Sequence, residues 1–247
     1  MLSLCLSALI AATPGMPVEL RAGDAEPEDL VTPRITGLAV PAQARAGVYL
    51  YGALSTSARP LRALLLRSTD GGAHWTEVLP RVSDSEVLFL DFFGCEGRAL
   101  VGWSTEGPGE LQLYVSTNCG ATWKRRSKLP KAVWSEWPRH IAWKDAQHAT
   151  VWLEDVNGEA PLHVLTTSNG GRTWSTPKPP PQEQPPAQPT ESPLEVRDST
   201  GVRWAVRHEE EAIRVERQEP GAAPEVRATL PVMLQRKGNK LVPSPQP

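Results

Sequence analysis

Catalytic signatures are what this 247-residue sequence lacks first. Its histidines, His74, His140, His148, His163 and His208, fall in no HExxH or Cys/His metal spacing, and there is no GxSxG elbow, P-loop or dinucleotide fingerprint. Those gaps leave no metal ligand set, no cofactor and no hydrolase nucleophile to assign. The formal net charge of −2 carries no pull toward nucleic acid or anionic membrane. No apolar run is long enough to span a bilayer, so the chain reads as other than an integral membrane protein. The N-terminal run at residues 2–12 is of signal-peptide length, which gives residues 1–15 as a leader and an extracytoplasmic location, although the usual basic n-region is missing. Cysteine is scarce too: with Cys5 removed in a leader, Cys95 and Cys119 are the two that are left. The acidic run Asp24, Glu26, Glu28 and Asp29 lacks the spacing of a calcium loop and reads as part of a solvated lead-in at residues 16–33.

What the sequence does contain is a repeated stretch. Ser68-Thr69-Asp70-Gly71-Gly72-Ala73-His74-Trp75 returns as Ser116-Thr117-Asn118-Cys119-Gly120-Ala121-Thr122-Trp123 and as Thr167-Ser168-Asn169-Gly170-Gly171-Arg172-Thr173-Trp174, in steps of 48 and 51 residues. Asp70, Asn118 and Asn169 can turn a side-chain oxygen onto nearby backbone N–H groups, while Gly72, Gly120 and Gly171 supply a left-handed backbone and Trp75, Trp123 and Trp174 pin the turn. Strand-like runs precede each copy, as in Ala63-Leu64-Leu65-Leu66 and Leu111-Gln112-Leu113-Tyr114-Val115. Each copy is therefore expected to be a hairpin between two strands.

These three boxes resemble the Asp-box, or bacterial neuraminidase repeat, of sialidases, sortilin-type receptors and photosystem II assembly factors. The resemblance covers roughly residues 35–176 and implies an all-β, β-propeller-like fold, since repeats of this period build four-stranded blades. It implies a fold and no single reaction. Three clear blades are expected over residues 34–176. A fourth, eroded blade over 194–231 keeps an acidic residue and Gly221 at the box position and offers four strand-like runs, at 194–197, 202–206, 213–215 and 226–231. The proline-rich stretch 177–193 is expected to be a linker, because proline lacks the N–H that a ladder needs. Residues 232–247 form a tail with a hairpin expected about Lys237-Gly238-Asn239-Lys240.

With the boxes as outer turns of their blades, the opposite loops are where a ligand is expected. The connection at 130–139 brings together Trp134, Glu136, Trp137 and Arg139, a set suited to sugar rings, peptides or cations; the alternative is that both indoles tuck between blades. The sialidase resemblance implies an Arg-Ile-Pro motif, met here only as Arg34-Ile35-Thr36, and a late tyrosine nucleophile, whereas Tyr49, Tyr51 and Tyr114 are all early. The reading is thus an exported, non-catalytic binding or assembly protein with a protein or glycan ligand. A sialidase-type hydrolase and a partial propeller completed by self-association, as a homo-oligomer, are the alternatives. Cys95 and Cys119 are expected in two turns on the same side of blade two, about two strand spacings or roughly 10 Å apart, so that they bond if the turns lean together. Two separate thiols in a reducing compartment is the other possibility.

Overall fold

The computed structural model describes residues 17–23, 25–42, 47–102, 110–130, 136–155, 163–176 and 194–245. Among them the chain is all-β and forms four antiparallel sheets. Strands are numbered in chain order. The first sheet contains β1 (Leu20–Arg21), β2 (Leu30–Ala39), β3 (Val48–Ser55), β4 (Pro60–Ser68) and β5 (Thr76–Glu77), joined by β17 (Leu234–Lys237) and β18 (Lys240–Pro243). The second is β6 (Glu86–Phe93), β7 (Glu96–Gly102), β8 (Gln112–Ser116) and β9 (Lys124–Lys128). The third is β10 (Glu136–Trp143), β11 (Ala149–Asp155) and β12 (His163–Thr167), and the fourth β13 (Glu195–Arg197), β14 (Arg203–His208), β15 (Ala212–Gln218) and β16 (Glu225–Pro231).

Sheets two, three and four are meanders in which neighbours in sequence are neighbours in space, and alternation sets their faces. In β15, Ile213 and Val215 are buried while Arg214 between them is exposed, as a period of two requires. Sheet one departs from a simple four-stranded meander. Its order is β1-β18-β17-β2-β3-β4-β5, and its ends approach each other through a parallel bridge from Val18 to Trp75, so it is nearly closed, like a barrel. The expected hairpin at the tail is present, with Lys237 opposite Lys240, but it is a working part of this sheet: Leu234 pairs with Val31, and Leu241 with Leu20. Sheet three has three strands, followed by the isolated bridge Thr166–Ser175.

The three repeated turns share one hydrogen-bond scheme. Oδ1 of Asp70, Asn118 and Asn169 accepts from the backbone N–H of His74, Thr122 and Thr173 at 2.9, 3.0 and 3.0 Å. The hydroxyls of Ser68, Ser116 and Thr167 accept from the N–H of Gly72, Gly120 and Gly171 at 2.8, 2.9 and 3.0 Å. The indole N–H of Trp75 and Trp123 donates to the carbonyl of Gly72 and Gly120. The third turn breaks the scheme: the Gly171 carbonyl takes the Ser127 hydroxyl at 2.5 Å instead, and the buried Trp174 N–H has no partner among the described residues.

Each turn also packs on the sheet before it. Turn one meets sheet four, where Arg227 Nε donates to the Gly71 carbonyl at 2.7 Å and the Trp204 ring lies against Gly72. Turn two meets Tyr49 of sheet one, and turn three meets Leu113 of sheet two. Gly120 has φ 71°, and a Cβ there would lie 2.0 Å from the Tyr49 hydroxyl oxygen, so both the conformation and the contact demand glycine. The buried apolar clusters follow the same joints: one spans sheets one and four, one sheets one and two, and one sheets two and three. Among the described residues no buried apolar cluster joins sheets three and four.

Cys95 and Cys119 are joined by a disulfide, with Cα atoms 4.0 Å apart, and the Cys119 N–H donates to the Cys95 carbonyl at 2.9 Å. Two strand spacings is too large a separation for this pair. Cys95 lies directly before β7 and Cys119 shortly after β8, and these strands are neighbours, so one spacing separates them.

The carboxyl group of Asp70 is held down to about 2, chiefly by the hydrogen bond from the His74 N–H. Asp70→Ala is expected to lower stability by about 0.5–2 kcal/mol, by analogy with helix caps. Because the folded pKa lies below the unfolded one, the carboxylate's contribution is present above about pH 4 and is lost as pH falls through about 2. Urea midpoints of wild type and Asp70→Ala should therefore converge between pH 7 and pH 2. Equal midpoints at pH 7 would remove Asp70 from the set of structural residues.

Candidate functional site on sheet three

The residues singled out at 130–139 do not form one patch. Trp134 lies outside the described residues. From Glu136 the chain is already strand β10, and alternation sends successive side chains to opposite faces. Glu136 meets His163 of β12, with Nδ1 to Oε2 at 2.9 Å, while His163 Nε2 reaches the Thr176 hydroxyl at 3.1 Å. Trp137 stands opposite Glu154 on the other face, and the Arg139 guanidinium donates to Glu154 at 3.0 Å. A register shift between Pro138 and His140 then keeps His140 opposite Trp152 and Ala142 opposite Thr150. The result is a continuous face running from Trp137 and Arg139 through His140 and Trp152 to Thr150 and Thr166.

That face ends in a cavity of about 660 Å³, bordered by Ala142, Lys144, His148, Thr150, Trp152, Thr166 and Ser168. Trp152 is 4% exposed, and its indole N–H has no hydrogen-bond partner among the described residues. A buried donor without an acceptor is destabilising by about 1–3 kcal/mol, so such a group is rare unless something else satisfies it. His140 packs 5.6 Å from the Trp152 ring and 6.5 Å from Phe89, and burial lowers its pKa, which favours the neutral imidazole. At the cavity rim the Asp145 carboxyl is held at about 2 by the Gln147 N–H and by His148. The site thus offers the exposed indole of Trp137, hydroxyl groups and the buried indole of Trp152 with its unanswered donor. The imidazole and carboxylate at this cavity, His148 and Asp145, are paired with each other at 2.9 Å.

Trp152 reads from sequence as packing between sheets. The signal that could have separated it was the alternation Thr150, Trp152, Glu154 against Val151 and Leu153, which puts it on the face away from the sheet-two core.

Elsewhere the chemistry is quiet. Burial pushes the Tyr49 phenol up to about 12, and burial together with the charge of Asp91 does the same to Tyr51, so both are held protonated, the reverse of an activated nucleophile. Arg34 approaches the buried Glu86 at 4.0 Å, and burial raises that carboxyl. Among the described residues no group of three His, Cys, Asp or Glu side chains is placed to hold a metal ion, and no helix is long and apolar enough to cross a membrane. No family model matches the chain, and no curated protein is significantly similar to it.

Proposed function

We propose that the chain is an exported, non-catalytic binding protein, an Asp-box propeller of three clear blades and an eroded fourth, that holds a protein or glycan ligand on the face of its third blade that carries Trp137 and Trp152. Support for the propeller comes from the cyclic order of contacts, in which turn one seats on the last sheet, turn two on the first and turn three on the second. The Cys95–Cys119 disulfide supports an oxidising compartment and hence export. Against a sialidase-type reaction stand the protonated phenols of Tyr49 and Tyr51.

The observation that carries the binding reading is the orphaned indole donor of Trp152 beside an open cavity. A ligand oxygen accepting that N–H would remove its burial penalty. The test pairs an immobilised glycan panel and a displayed peptide library with wild type and Trp152→Phe, which keeps an aromatic ring and deletes the donor. Ligands recovered with wild type should bind Trp152→Phe about tenfold more weakly, the effect of one hydrogen bond to a desolvated partner. Trp137→Ala should weaken the same ligands. Binding indifferent to both substitutions, or no ligand in either panel, would remove sheet three from consideration.

A further inference from the structure

Sheet one closes except along one line. Beyond the Val18–Trp75 bridge, β1 and β5 do not pair with each other, and side chains fill the seam. Arg62 of β4 is 3% exposed; its Nη2 donates to the Arg21 carbonyl at 2.7 Å, and its Nη1 is ion-paired with Glu77 of β5. Burial and then the nearby charge of Arg21 lower the Arg62 pKa to about 10, so Arg62 remains cationic at neutral pH. A cavity of about 670 Å³ opens at this seam, bordered by Arg21, Arg62, Glu77, Arg81 and Asn239.

The polar groups around the cavity do not balance. One oxygen of Glu77 answers Arg62, but Oε2 is buried and has no donor among the described residues. Glu19, at the rim, is taken by Lys240. Arg21 forms no salt bridge among the described residues; Glu19 meets it only through a weaker charge interaction than the one it has with Lys240. Glu77 Oε2 therefore lacks a donor, and Arg21 lacks a carboxylate of its own beyond the one Glu19 gives to Lys240. A simple anion would meet the Glu77 carboxylate, and a simple cation would meet Arg21 and Arg62; a molecule carrying both charges satisfies both walls.

We propose that this seam binds a small zwitterion of the free α-amino acid class, its carboxylate toward Arg21 and its ammonium toward Glu77 Oε2. The site is separate from the face on sheet three and does not depend on it. The cavity is larger than the charged groups require and leaves room for a side chain.

The test uses the full chain in thermal denaturation and calorimetry with each of the twenty free L-amino acids, against propionate as a carboxylate-only probe and propylamine as an amine-only probe. At least one amino acid should raise the melting temperature and bind at least tenfold more tightly than either single-charge probe. Arg21→Ala and Glu77→Gln should each weaken it by about tenfold or more, as expected for a charge-assisted hydrogen bond. Glu77→Gln should leave the weak binding of propionate undiminished. If Glu77→Gln fails to fold, the exposed Arg21 still decides through Arg21→Ala. No binding by any of the twenty, propionate binding as tightly as the amino acid, or Arg21→Ala binding like wild type would each overturn the proposal.

Discussion

Replacing Trp123 with alanine should destabilise the protein by about 3–5 kcal/mol, the range for truncating a buried aromatic. Trp123 is 3% exposed, lies edge-on to Phe92 with ring centroids 6.0 Å apart, and donates to the Gly120 carbonyl at 3.1 Å. Alanine would leave a cavity between sheets one and two and free the carbonyl that the indole ties down. Against a typical total stability of about 5–15 kcal/mol, the melting temperature should fall by roughly 10 °C or more. The same change at Trp174 should cost less, because its N–H makes no such bond and the Gly171 carbonyl is already held by Ser127. Thermal unfolding of both variants measures this, and a loss below about 1 kcal/mol at Trp123 would contradict the pinning role assigned to the repeat tryptophans.

The second large effect is expected from opening the disulfide. The bridge spans a sequence separation of 24. By the chain-entropy relation a loop of that size contributes about 3 kcal/mol. Urea midpoints with and without reductant, alongside the Cys95→Ser/Cys119→Ser double variant, should show that loss in both comparisons and no effect of reductant on the variant. Thiol counting on unfolded, unreduced protein is the independent check: two free thiols from Cys95 and Cys119 would mean that the bond does not form in solution.

The strands of the second, third and fourth sheets were legible because their signals are local. Asp70, Asn118 and Asn169 close their turns within four residues, and the runs flanking them alternate or are apolar throughout. Sheet one was only partly legible. Its β1 is two residues long, and the pairing of Leu20 with Leu241 joins segments whose individual strand signals are slight. At the candidate site, composition pointed to the right strand but could not give the faces. Alternation separates Glu136 from Trp137, and a single register shift between Pro138 and His140 brings His140 opposite Trp152 on the Trp137 face. Trp152 was hidden for the opposite reason, since an indole in a strand rich in valine and leucine looks like core whichever face it occupies.

The pairing of β1 with β18 also bears on how the chain comes off the ribosome. The interior of sheet one is lined by Leu20, Val31, Leu50 and Leu64 from early in the sequence and by Leu234 and Leu241 from its far end. During synthesis the early residues emerge long before their covering hairpin exists, leaving an apolar surface without its lid while sheets two, three and four are made. Contacts of such long sequence separation form slowly and expose aggregation-prone surface meanwhile. Sheet one can therefore be completed only after sheets two, three and four have been made, and nascent chains stalled before Leu234 are expected to expose its apolar face.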